Sequence, residues 1–458
     1  MSVASSSTKF SSIECLAAAW ASLEMVAPSM GRQAKERRRR FIDDAILHGI
    51  PSTRHEDWKF TSLRPLVERG FDLAAPRATV SLSGQEVLGA IKESLIPNAL
   101  PIVFVDGQLI TNLPGASLAE MKFAKEFSQA EKTEDAQWWD RWVPDLDSAK
   151  IFWKICLGLS NDGLVISIPK NQSDLRLLHI FHLSSGQYGE TAANNRILID
   201  VDEGSSVRVV EEFLPLSTSE SPHASWTNVL TQIRLATASH CGYYRVVNAP
   251  GAFHTGGVSV HLDHRSHLDA MSLVMAGRLV RVDFDVQHTA TDSECNLNGL
   301  ALMREADHVD HHTAVDHRVG QTRTNQLFKG ILSDSARLVF NGKIFIRKQA
   351  QKSEAYQTCK NLLLSENAEA NAKPQLEIDA DDVKASHGAA IGTVNPQELF
   401  YLQSRCIEKS KAMAILCRGF ADDVMFRLKD NQIREALAAR VGRWFEGQTS
   451  HGKQAEGQ

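Results

Sequence analysis

The densest group of side chains able to hold a metal or move a proton is His308-Val309-Asp310-His311-His312-Thr313-Ala314-Val315-Asp316-His317. Imidazole and carboxylate together suit zinc or iron, but the spacing matches neither HExxH nor a zinc finger. In a strand, His308, Asp310 and His312 share one face and His311 takes the other. Hydrogen bonding along a sheet face or at an interface is therefore the favoured reading, with metal ligation as its competitor. A looser set, His254, His261, His264 and His267, is a weaker candidate still. Seven cysteines (Cys15, Cys156, Cys241, Cys295, Cys359, Cys406 and Cys417) are scattered without a CxxC pair. That pattern predicts reduced thiols in a cytoplasm rather than a disulfide framework. Nothing in the sequence around Cys359 predicts a lowered thiol pKa. The acid pair Asp381-Asp382 fits iron binding and a turn about equally.

Phosphate cradles are missing. Gly251 to Gly257 has the two-glycine spacing of a Walker A loop, but Gly257 stands where the lysine must be. No GxGxxG follows a strand and no GxSxG elbow occurs. If ATP matters to this chain, another subunit binds it. The run Lys35-Glu36-Arg37-Arg38-Arg39-Arg40 invites a nucleic-acid reading. Asp43-Asp44 follow at once and no aromatic platform is interleaved, so a solvated helix face is favoured.

Whole-chain properties narrow the field further. The 458 residues set a loose prior of about three domains. Lys and Arg number 50 against 55 Asp and Glu, so the chain is no polycation for nucleic acid. With 43% hydrophobic and 23% charged residues it reads as an ordinary globular protein, not a disordered one. No run reaches the ~18 apolar residues of a membrane span. The apolar Cys15–Ala21 stretch is bracketed by Glu14 and Glu24, with only Lys9 upstream, which argues against a signal peptide.

The elements that must position these groups follow an α–β–α order. Ile13, Leu16, Ala17, Trp20, Leu23 and Met25 approximate a helical period, and Phe41, Ile42, Ala45, Ile46 and Leu47 form a second stripe. A less regular stretch runs to about 150 and includes a strand candidate at Pro101–Gly107. From about Gly163 to Gly392 short β-branched or alternating segments dominate. A small/polar–x–apolar pattern returns near Ser239, Ser266 and Ser293. Many short strands without intervening helices predict a solenoid or a large sandwich, with a parallel β-helix at even odds. Helix returns where Asn395 caps, Pro396 takes the first position and Glu398 the third. Phe400, Leu402, Ile407, Met413, Leu416, Phe420, Val424 and Leu428 form its apolar stripe, and a further helical stretch spans Ile433–Trp444.

The segment from Phe340 to Ile407 carries the most information. It reads Phe340-Asn341-Gly342-Lys343-Ile344, Ala350 to Gln357, Asn361 to Ser365, Ala372 to Ala389 and Leu399 to Ile407. It resembles the SufB/SufD family of iron–sulfur cluster assembly scaffolds, on its SufD side. Arg54 to Thr61 resembles that family's N-terminal motif and Phe328 to Leu332 its mid-core, so the resemblance covers about residues 30 to 430. Gly388 follows His387 where SufB usually has an acid.

The resemblance implies a mainly β fold, a right-handed parallel β-helix core flanked by N- and C-terminal α-helical regions. The divisions would be 1–150 mostly helical, 151–392 β-helix, 393–447 helical, and 448–458 a disordered tail. It also implies a non-catalytic scaffold subunit in a cytoplasmic complex with a SufB-like subunit and a SufC-like ATPase, a second copy of the chain being a further partner, and neither nucleic acid nor membrane. ATP hydrolysis falls to the SufC-like partner. A transient iron–sulfur cluster would be shared with SufB and none held permanently by this chain alone. His387 is the implied ligand at the SufB interface. Phe400, Tyr401, Leu402, Arg405 and Ile407 are the implied ATPase-docking surface. The family's usual cysteine two residues before the histidine is Ala385 here, and its usual glycine is Cys406, which reads as a buried packing thiol. A β-solenoid enzyme working through carboxylates and a stand-alone metalloprotein built on His308–His317 are the alternatives.

Overall fold

The computed structural model describes residues 8–455, apart from 27–29, 74–81, 115, 119–120, 161, 174, 187–189 and 217–223. From the strand Asp162–Ile168 to the strand Lys384–Gly392, successive strands alternate between two sheets. Within the stack each pairs in parallel with the strand one turn earlier and one turn later, the strands at the two ends having only one such neighbour or a different one. This is a two-sheet parallel β-solenoid of about seven turns with helices at both chain ends. The strand expected at 101–107 runs over Leu100–Val105 and pairs in parallel with Leu178–Ser184.

The recurring serines mark one corner of each turn. Gly204, Ala238, Arg265, Asp292, Gln321 and Lys352 all have φ between 52° and 66°, and each is followed by a buried Ser or Thr. The hydroxyls of Ser239, Ser266 and Ser293 donate to the carbonyls three residues back at 2.7, 2.7 and 3.0 Å. A hydroxyl inside the corner thus adds a second donor to a carbonyl that, at Ala236 and Asp263, also accepts the serine's own backbone N–H. The left-handed residues in turn donate their backbone N–H to the next corner, ending with Lys352 on the Asp382 carbonyl at 2.6 Å.

Apolar side chains of both sheets fill the space between them, from Val103 and Phe181 to Phe340 and Cys359. The helices Lys409–Met425 and Asn431–Ala455 cover the outer face of the first sheet, where Cys417, Ala421, Ile433 and Leu437 meet Tyr244, Met271, Leu300 and Leu327. The second helix runs into the stretch expected to be disordered; nothing is described of its side chains beyond 446, and residues 456–458 lie outside the described ones. The N-terminal helices Cys15–Val26, Arg32–His48 and Ile151–Leu159 pack on the other sheet and its edge. In the basic run at 35–40, Glu36, Arg39 and Arg40 are exposed as a solvated face requires, but Arg38 and the half-buried Arg37 depart from it. Arg38 is buried, bonded to Glu131 at 2.9 Å and to the Ser160 carbonyl at 2.6 Å, and Arg37 lies 4.5 Å over the Trp139 ring. A helix one turn from a tryptophan cluster needs cationic stems to cover it.

Candidate functional site

The first sheet ends at Lys384–Gly392 and the second at Glu369–Ile378, so among the described residues the solenoid finishes on two open edges. Such edges invite pairing and are usually blunted by charge or proline. Glu369–Ile378 carries Lys373, Pro374 and Glu377. Lys384–Gly392 has no charged residue between its first position and its end, and its residues are exposed except for the half-buried Ala385. It is a bare edge with an imidazole at its centre.

The register sets where that imidazole points. His387 pairs with Gln357, and Gln357 with Gln326. In parallel strands in register, paired residues share a face. Gln357 and Gln326 are buried between the sheets; the Gln357 Nε2 donates to the Gln326 Oε1 at 3.2 Å, and the Thr313 hydroxyl of the opposite sheet donates to the same oxygen at 2.9 Å. His387 is thus the exposed last member of an inward-facing polar row. Gly342 makes room for Gln357 in that row, since a Cβ there would lie 2.2 Å from the Gln357 Nε2. Ala385 faces the same way, against the apolar interior.

Thiolates are scarce here. Cys359, paired with Ala389 in the neighbouring strand, is buried, and burial pushes its thiol up to about 12. The open end therefore offers one imidazole and no activated thiol from this chain. Asp381-Asp382 form the final corner; the Asp382 N–H donates to the Gln351 Oε1 at 2.8 Å, a ladder-end role.

Beyond the edge, Asn395 caps the helix Pro396–Ser404 by accepting from the Gln397 N–H at 2.9 Å. That helix buries no residue. Phe400 is 72% and Tyr401 57% exposed, Arg405 lies 5.2 Å over the Tyr401 ring, and Leu402 and Ile407 are half-buried. The rest of the stripe divides from them, because Val424 and Leu428 are core. Cys406 corrects the packing expectation. It is exposed, at φ 60°, in the link to the next helix. A left-handed position explains why glycine would be at home there.

The His308–His317 strand serves the fold instead. His308 lies 3.0 Å from the Thr61 hydroxyl, which donates to Asp310 at 2.6 Å. Asp310 also accepts from Arg281 at 3.0 Å and faces His312 at 2.9 Å. His311 and His317 turn inward to Ser272 and Thr322. The other half of this joint is the Arg54–Thr61 motif. Trp58 is buried 3.8 Å beneath Arg281, and Asp57 binds Lys343 at 2.6 Å. Beside it lies a cleft of about 340 Å³. Its cations are already matched with carboxylates, Lys150 with Asp285 and Arg318 and Arg347 with Asp316.

Of the looser histidine set only His267 joins a cluster of metal-ligating type among the described residues, and its partners on the outer face of the first sheet, His240 and Asp269, were missed in sequence. The cluster's signal is legible in retrospect: both histidines follow a corner serine and stand one 27-residue turn apart.

Comparison with known proteins converges on one family. Residues 182–420 match the family model described as SUF system FeS cluster assembly, SufBD core domain. The chain is similar to the iron–sulfur cluster assembly protein SufD of Escherichia coli, 28% identical over 91% of this chain and 94% of that one. It is also similar to a SufBD family protein of Synechocystis, 24% identical over 86% and 88%. SufD of Bacillus subtilis is 26% identical over 62% of this chain and 64% of its own. No helix among the described residues is long and apolar enough to cross a membrane.

Proposed function

We infer the role of this chain from the family to which it belongs, the SufBD proteins of SUF-system iron–sulfur cluster assembly. It acts as a SufD-type, non-catalytic scaffold subunit in the cytoplasm. A SufB-like subunit pairs with the open end of its solenoid, a SufC-like ATPase docks on its C-terminal helices and hydrolyses ATP, and a second copy of the chain competes for the same edge. The observation that carries this reading is the bare edge Lys384–Gly392, a pairing template with no charged residue after its first position. The nascent cluster is cargo at that junction. His387 supplies an imidazole nitrogen beside thiolates from the SufB-like subunit, as histidine replaces cysteine in Rieske centres. Phe400, Tyr401, Leu402, Arg405 and Ile407 form the ATPase-docking surface, since exposed aromatics rimmed by cations suit a partner groove.

Cluster content tests the first half. The co-expressed complex carrying His387→Ala should hold less iron and sulfide than wild type at equal subunit stoichiometry; unchanged content would leave His387 a structural residue. Docking is tested separately, by pull-down of the ATPase with a chain ending at residue 395. Undiminished capture would place the ATPase elsewhere.

A further inference from the structure

We propose that His240, His267 and Asp269 form a binding site for a first-row divalent metal ion of the Fe²⁺ or Zn²⁺ type, latched by Lys429. Their ligand atoms all lie within 4.8 Å of one another. The strands His240–Asn248 and His267–Ala276 are neighbours, and register stacks His240 on His267 and His267 on Glu294. The Asp269 carboxylate lies 3.1 Å from the His240 Nε2 through one oxygen and 3.1 Å from the His267 Nε2 through the other. Two imidazoles and one carboxylate are a donor set that first-row divalent ions use with coordination positions left open.

The tautomers argue for a cation here. The Lys429 Nζ lies 2.9 Å from the His267 Nε2 and 3.3 Å from an Asp269 oxygen. An ammonium has only donors, so when the Nε2 accepts from Lys429 it presents its lone pair. The proton then sits on Nδ1, which faces the Glu294 carboxylate at 3.3 Å. That is the carboxylate–histidine arrangement that orients metal-ligating imidazoles. It leaves a lone pair and a carboxylate oxygen facing each other, and the ammonium is the positive charge between them. The Asn296 Nδ2 donates to the Asp269 oxygen that faces His267 at 2.9 Å and lies 3.4 Å from the His267 Nε2, so it holds both ligand groups in place. The Lys429 side chain is 59% exposed, so it can swing into solvent and yield its place. The site is distinct from the open end: it is on the outer face, and four strand spacings of about 4.8 Å separate it from His387 along the sheet.

The test is anaerobic titration of the metal-free full chain with Fe²⁺ and, in a second arm, Zn²⁺, with Co²⁺ absorption as the coordination reporter. One ion per chain is expected, and the two arms rank the metals. His240→Ala and Asp269→Asn should each weaken binding roughly tenfold or more, and Glu294→Gln should weaken it through the second shell. Lys429→Met removes the competitor and should tighten binding severalfold, a gain that misfolding cannot produce. Absence of binding, binding indifferent to His240→Ala and Asp269→Asn, loss on His387→Ala instead, or weaker binding in Lys429→Met would each overturn the site.

Discussion

Cys406 and Gly342 show how much a single Cβ matters in this molecule. Cys406 holds its side chain at φ 60°, where a residue other than glycine costs roughly 1–2 kcal/mol. Cys406→Gly should therefore raise stability slightly, by at most about 1 kcal/mol once the entropy of glycine in the unfolded chain is counted. The same residue is the one exposed cysteine of seven. Native protein should expose one fast-reacting thiol to a disulfide reagent and seven after denaturation; two or more fast thiols would contradict the buried positions of the rest. Gly342 is the opposite case. A methyl there would meet the Gln357 amide at 2.2 Å and the Phe340 ring at 2.7 Å. Gly342→Ala should cost about 1–3 kcal/mol, the usual cost of overpacking, read as a lower urea midpoint.

Two elements far apart in the chain share one joint. The 3₁₀ turn Glu56–Trp58 and the strand His308–His317 meet through Arg281, which donates to the Asp57 carbonyl at 2.7 Å and to Asp310 at 3.0 Å. Arg281→Ala leaves the buried Asp310 charge without its guanidinium and strips the cover from Trp58. The expected loss is about 3–5 kcal/mol, with early proteolytic release of the N-terminal helices as the sign that the joint has opened. The terminal strand permits a cleaner variant. A Cβ at Gly388 meets nothing within 4 Å, so Gly388→Lys should leave the melting temperature of the isolated chain within about a degree. Placing a charge on the bare edge should nonetheless abolish pairing with a SufB-like subunit. Normal assembly of Gly388→Lys would show that the edge is not the contact.

The solenoid as a whole is expected to be acid-sensitive well above the carboxylate range. Burial lowers His261, His311 and His317 to about 4, and lowers His254 and His288 well below the ordinary value. These rings are neutral when folded, while the unfolded chain takes up protons near pH 6.5. Their stabilisation is fully present above pH 6.5 and is lost as pH falls towards 4, up to about 3 kcal/mol for each ring lowered to about 4. Asp307 opposes them, because burial raises its carboxyl to about 6 and stability is lost as pH rises through that value. Burial raises the Asp106 and Asp200 carboxyls in the same direction, and the five imidazoles outweigh these three carboxyls. The urea midpoint should fall between pH 6.5 and 4; a flat profile would mean that water or counter-charges reach these rings.

The residue order alone determined what depends on neighbours along the chain. Short β-branched segments with hardly any helical stripe between them narrowed the core to a solenoid or a large sandwich, the family motifs favoured the solenoid, the 27-residue spacing of Ser239, Ser266 and Ser293 fell at its corners, and Asn395-Pro396 capped the returning helix. The motif around His387 likewise lay in sequence, and its position on the last strand follows from chain order. Only tertiary structure decided what depends on contacts across the chain. Thr61 and His308 are 247 residues apart, and no local period shows that one satisfies the other. Arg38 was legible as a charge but not as a buried one, because Glu131 and Ser160 arrive from elsewhere. His240, His267 and Asp269 converge because parallel register stacks like positions of successive turns, and Lys429 joins them from the C-terminal helical region. Periodicity encodes which face a side chain takes; register and packing decide what it meets there.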